Sequence, residues 1–217
     1  AIDNFYTTTI YEKGAELIRM LRTLLGPERF MRGMSLYFKR HDGEAATTED
    51  FVNAIVDGAG ADGQPLGFDV EQFRLWYHQA GTPQVTVKSH WDGEAGRLSL
   101  TLQQSTAPTP GQERKQPLVI PVLWSVLQAN EGAGEERLFV LDQEIQTVVL
   151  EGLSPAAQPP VVSLFRRFSA PVTWASGQSL DDLFALFAGD NDAFARWDAG
   201  QQLWKLSLIH ISEPTRH

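Results

Sequence analysis

The chain has 217 residues, 42% hydrophobic and 21% charged, a composition typical of a globular protein with room for one large or two small domains. A net charge of −9, from 18 basic and 27 acidic side chains, argues against nucleic acid as the main partner. With no cysteine, disulfides and thiolate metal sites are excluded and a reducing compartment is expected; no apolar run approaches the roughly 20 residues that span a bilayer.

In chain order, Phe5 to Tyr11 is a β-branched and aromatic run that passes into an amphipathic helix opening with Glu12 and Glu16. Tyr11 therefore stands at a strand-to-helix or loop-to-helix junction, and by itself it reads as a packing residue. Ala15, Leu17, Ile18, Leu21, Leu24 and Leu25 recur at helical spacing until Gly26-Pro27 stops the helix. Pro27 can open a second helix with an apolar stripe of Phe30, Met31, Met34, Tyr37 and Phe38, expected in the core, and His41-Asp42-Gly43 ends it. Thr47 or Thr48 can cap a third, with Asp50 completing a capping box and Phe51, Val52, Ile55 and Val56 buried. After the turn-rich stretch Gly58 to Gly67, a fourth helix begins near Asp69 and buries Val70, Phe73, Trp76 and Tyr77 before Gly81.

Beyond Pro83 the apolar period falls to two. Val85 and Val87 alternate, as do Leu98, Leu100 and Leu102, and β runs follow at Leu118–Leu127, Arg137–Leu141, Ile145–Leu150, Val161–Phe165 and Val172–Trp174. Turns rich in Gly, Asp and Asn separate them, at Asp92-Gly93, Gly96 and Asn130 to Gly134. This predicts an antiparallel sandwich of immunoglobulin-like type with Trp124 in its core. From Ser179 the pattern is helical again, with Leu180, Leu183, Phe184 and Leu186 in one piece and Phe194, Trp197 and Leu203 in the next. The fold class expected is thus α+β and multidomain.

Among residues that carry chemistry, none of the five histidines belongs to an H-E-x-x-H pair, and phosphate-loop and G-x-S-x-G patterns are absent. His41 reads as a helix-end cap and His78 as a surface or rim residue. Seven basic side chains against three acidic ones between Tyr11 and Arg40 read as solvated helix faces rather than an anion site. The chain starts at Ala1 without Met, as an internal piece of a longer protein would. Leu206 to Arg216 resembles the translation of a transposase-type sequencing adapter, so 206–217 is set aside as a non-native tail.

Three blocks resemble the bacterial aminopeptidase N (alanyl aminopeptidase) family of zinc metallopeptidases. They are Asn4-Phe-Tyr-Thr-Thr-Thr-Ile-Tyr-Glu-Lys-Gly-Ala-Glu16 and its continuation to Met20; Gly33 to Gly43 with Ala45 to Phe51; and Phe73-Arg-Leu-Trp-Tyr-His-Gln-Ala-Gly-Thr-Pro83. The resemblance implies the helical C-terminal part of a thermolysin-like catalytic domain over 1–82, a β-sandwich over 83–175 and the start of an α-helical domain over 176–205. It also implies a zinc ion, held by ligands upstream of Ala1, that activates water against the first peptide bond of a substrate with a free N-terminus. Tyr11 matches the family's catalytic tyrosine, which donates a hydrogen bond to the developing oxyanion; a phenol suits this because it is neutral near pH 7 and brings no charge. Tyr6 matches a residue lining the substrate pocket. The implied whole enzyme is a cytoplasmic monomer, and this stretch alone is expected to be inactive. The alternative is a non-enzymatic helical adaptor joined to an immunoglobulin-like binding module, which an exposed apolar face on the sandwich would favour.

Overall fold

A computed structural model describes residues 9–128 and 132–212. A π-helical turn, Thr9–Lys13, leads into α1 (Gly14–Leu25), so the junction expected at Tyr11 is helical from Thr9 onward. α2 (Pro27–His41), α3 (Thr48–Ala59) and α4 (Val70–His78) follow. Gly26, at φ +77, makes the break between α1 and α2, and Pro27 opens α2 where its missing N–H costs nothing. The capping box of α3 is formed: Asp50 N–H donates to Thr47 Oγ1, and the Asp50 carboxylate accepts from Thr47 N–H and hydroxyl. Those Thr47 hydrogen bonds hold the Asp50 carboxyl below its ordinary value of 3.8. Asp69 caps α4 by accepting from Gln72 N–H.

α2 and α3 cross at two glycines. A Cβ on Gly33 would lie 2.6 Å from Ile55 Cα, and one on Gly58 would lie 2.6 Å from Gly33 Cα. Both obstacles are backbone, so neither helix can yield locally. Gly33→Ala and Gly58→Ala are therefore each expected to lower stability by about 1–2 kcal/mol, overpacking outweighing the helix propensity that alanine adds. Thermal unfolding of the two variants measures this, and an unchanged or raised Tm would count against the close crossing. The basic residues of α2 secure the same junction. Arg29 donates to Ala59 O (3.1 Å), Pro65 O (2.9 Å) and Gln64 O (2.8 Å). Arg32 reaches Gly58 O and Ala59 O, and both guanidiniums pair with Asp62. Several of these acceptors are the carbonyls that a helix end leaves unsatisfied.

The sandwich comprises β1 (Gln84–Asp92), β2 (Arg97–Ser105), β3 (Ile120–Gln128), β4 (Gly132–Ala133), β5 (Arg137–Leu141), β6 (Ile145–Leu150), β7 (Val161–Ser163) and β8 (Thr173–Ala175). One sheet runs β6-β2-β1-β8; in the other, β3 pairs with β4 and β5 along one edge and with β7 on the opposite side. Pairing is antiparallel except between β1 and β8, which run parallel, a departure from the wholly antiparallel sandwich expected. Gly132-Ala133, expected within a turn, forms the short strand β4. Val85, Val87, Leu98, Leu100 and Leu102 face inward, as does Trp124 from β3. Gln104, an inward polar residue, is satisfied across the sheets: its amide donates to Leu118 O (2.9 Å) and Gln143 O (3.1 Å) and accepts from Leu118 N–H (2.8 Å).

The inner faces of α1 to α4 and the sandwich share one apolar cluster, in which Leu17, Met20, Leu21, Phe73 and Trp76 join Leu118, Val119, Ile120 and Phe165. Of the expected α2 stripe, Phe30 and Met34 join it, while Met31 and Phe38 are exposed. α5 (Leu180–Gly189) and α6 (Ala193–Ser212) pack through Leu183, Leu186 and Ala199 against Leu127 of β3. Leu180, Phe184 and Trp197 of these two helices are exposed. α6 runs continuously past Leu206.

Candidate functional site

Tyr11 sits inside the π-helical turn that precedes α1 and is 60% exposed. π-Helical turns are rare, because i→i+5 hydrogen bonding leaves a wide, loosely packed backbone, and they occur disproportionately at functional sites. Tyr6 lies outside the described residues.

Two residues after Tyr11, Lys13 extends across α4. Its ammonium lies over the Trp76 ring, 5.9 Å from the centroid, and burial pushes its pKa below the usual lysine value of 10.5. Cation–π contacts of this kind contribute about 1 kcal/mol. Trp76 is 3% exposed, and its indole N–H donates 2.8 Å to Val119 O at the head of β3. The turn that carries Tyr11 is thereby tied to the sandwich through two side chains. A second tie holds the middle of α1. Arg19 donates 2.8 Å to Phe168 O and lies over the Phe168 ring at 5.2 Å, while pairing with Glu16 on its own helix.

The segment Arg19 grips is backbone-strained. Phe165, Arg167 and Phe168 have φ of 50, 55 and 52, a region that non-glycine residues rarely enter. Arg166, 3% exposed, holds it from the other side: it pairs with Glu136 (3.0 Å) and Asp190 (2.7 Å) and donates to Asn191. Arg167 N–H donates to Asp192 (3.1 Å). A cleft of about 680 Å³ opens between α1, this segment and α6, lined by Arg19, Phe168, Trp174, Phe194 and Trp197 among others. Tyr11 is not among its lining residues.

His41 and His78 take structural or solvated positions. His41 lies against the Tyr37 ring, centroids 5.5 Å apart, and His78 sits 3.3 Å from Glu49 on the surface. Among the described residues no group of three or more His, Cys, Asp or Glu could hold a metal ion, and no helix is long and apolar enough to cross a membrane. The outer face of β1 and β2 carries Thr86, Lys88, His90, Ser99, Thr101 and Gln103, and the same face continues on β6 with the exposed Ile145 and Val149.

Sequence reasoning missed Lys13 with Trp76, Gln104 and the Arg166 cluster. In the sequence, Trp76 carries only the signal of a core residue on the apolar stripe of α4. Arg166 and Asp190 are 24 residues apart with no spacing pattern to link them.

Two family models match this chain: the peptidase family M1 domain over residues 1–76, and a domain of unknown function with an Ig-like fold over 81–177. The chain is 44% identical over 211 residues to the aminopeptidase N of Escherichia coli, covering 93% of this chain and 23% of that protein. It is 47% identical over 203 residues to the aminopeptidase N of Caulobacter vibrioides, covering 93% of this chain and 22% of that protein. Among solved structures, the Legionella pneumophila aminopeptidase A in complex with aspartic acid superposes with a TM-score of 0.82 at 27% identity, over 99% of this chain and 23% of that one. The chain thus spans about a quarter of the length of the relatives it matches.

Proposed function

Because this chain belongs to the aminopeptidase N family of M1 peptidases, we propose that it is part of a zinc-dependent enzyme that removes the N-terminal residue from peptides. The observation that carries the reading is the likeness to two aminopeptidases N over 93% of the chain, from the helices through the sandwich into α5 and α6. By this reading residues 1–82 are the C-terminal part of the catalytic domain, 83–175 the sandwich and 176–205 the first helices of a further domain, with 206–217 a non-native tail. The whole enzyme works as a monomer in the cytoplasm on peptides with a free N-terminus.

The described residues supply no ligand set for zinc, so the ion is assigned to the part of the enzyme outside this sequence, and no step of this chain passes through it. What this chain supplies is Tyr11. Its phenol O–H donates a hydrogen bond to the carbonyl oxygen as that oxygen gains negative charge in the tetrahedral intermediate. A preorganised neutral donor at that point stabilises the transition state more than the ground state. Tyr6, five residues earlier, contributes a wall of the pocket for the substrate's first side chain.

The test is an assay of the full-length enzyme on alanyl and leucyl chromogenic substrates and on an N-acetylated control. Turnover of the free-amine substrates alone, lost on chelation and regained with zinc, is the expected result. Comparable turnover by residues 1–217 alone would overturn the placement of the metal centre outside this chain.

A further inference from the structure

We propose that Lys13 is a positioning residue for Tyr11: seated over the Trp76 indole, its ammonium fixes the π-helical turn that presents the phenol, and Trp76 relays that constraint to the sandwich through Val119. The inference rests on reading Tyr11 as the oxyanion donor.

Three observations support it. First, Lys13 is the last residue of the π-helical turn and α1 begins at the next residue, so a contact that fixes Lys13 fixes the end of the turn that carries Tyr11. Second, Lys13 is half-buried, an arrangement lysine normally avoids by extending its ammonium into water. The desolvation that lowers its pKa is offset by the negative face of the indole. Third, the indole is itself anchored: Trp76 is buried in the core, and its N–H is committed to Val119 O. The ammonium therefore rests on a fixed platform belonging to the shared core of helices and sandwich. An oxyanion donor is effective only when it is already aimed, and small displacements of a catalytic group cost rate steeply.

The experiment compares Lys13→Met, Lys13→Gln, Lys13→Arg, Tyr11→Phe and the Tyr11→Phe/Lys13→Met pair in the full-length enzyme, reading kcat, KM and Tm. Lys13→Met and Lys13→Gln are expected to lower kcat about tenfold while KM stays within about twofold, since the ground-state contacts of the substrate do not involve Lys13. Lys13→Arg, which keeps a cation able to stack on the indole, is expected to retain most of the rate. The double variant is expected to match Tyr11→Phe within about twofold, because Lys13 acts only through the phenol. Wild-type kcat in Lys13→Met, or a loss in the double variant equal to the product of the single losses, overturns the positioning role while leaving Tyr11 in place. A fall in Tm that tracks kcat across all three Lys13 variants, arginine included, also overturns it, since that is the mark of a structural residue. Normal kcat in Tyr11→Phe removes Tyr11 from the mechanism and the inference with it.

Discussion

Tyr11→Phe in the full-length enzyme is expected to lower kcat by at least about a hundredfold, the usual loss when one oxyanion donor is removed. The phenylalanine ring keeps the volume and shape of the tyrosine and deletes only the hydroxyl. The loss should therefore appear in kcat and kcat/KM together, with KM little changed, because the bond forms only as charge develops on the carbonyl oxygen. Folding should be almost unaffected: the side chain is exposed in this chain, and exposed substitutions typically shift stability within about 0.5 kcal/mol. Steady-state kinetics on an alanyl chromogenic substrate, with Tm measured alongside, separate the two effects. A near-normal kcat would exclude Tyr11 from the chemistry.

Arg166→Ala is expected to be the most destabilising single change in the C-terminal half, costing about 3–5 kcal/mol. The guanidinium is buried, and its partner Asp190 exposes none of its side chain. Removing the arginine leaves the Asp190 carboxylate in the interior with only Asp192 N–H, at 2.8 Å, still donating to it. It also releases Asn191, in the link between α5 and α6, and leaves Glu136, next to β5, to Arg167. The strained backbone at Phe165, Arg167 and Phe168 then loses much of what holds it. Lysine cannot replace the arginine, since one ammonium cannot reach partners spread around a planar fork. Arg167→Ala is the control: that guanidinium also pairs with Glu136, at 2.9 Å, but is largely exposed, so its loss should cost no more than about 1 kcal/mol. Thermal unfolding and hydrogen exchange over α5 and α6 distinguish them. If the two variants melt together, the Arg166 cluster is not the clamp between the sandwich and these helices.

The structure explains why some residues were legible in the sequence and others were not. Caps and breaks are local events. Thr47 with Asp50, Ser179, Asp69, and Gly26 before Pro27 each act within four residues, and each stands where the sequence placed it. The alternation at Val85–Val87 and Leu98–Leu102 was equally readable, because the two faces of a strand are set by a period of two. Apolar stripes were less reliable. Met31, Phe38, Phe184 and Trp197 have helical spacing, yet which side of a helix is covered depends on what packs there. Spacing alone left Tyr11 a packing residue, and only the motif around it gave it a catalytic reading.

By itself, then, the sequence determined the order of helices, strands and helices, the ends of most elements, and through its three blocks the aminopeptidase N family to which the chain belongs. Tertiary structure alone decided that the helices and the sandwich form one core, that β8 runs parallel to β1, and that Lys13 meets Trp76 and Arg166 meets Asp190. The physical reason is range. Caps and periodicity are enforced by backbone hydrogen bonds and burial within a turn or two of the chain. An ammonium over a distant indole, or a guanidinium between two carboxylates from separate elements, exists only once the whole fold has excluded water from around them.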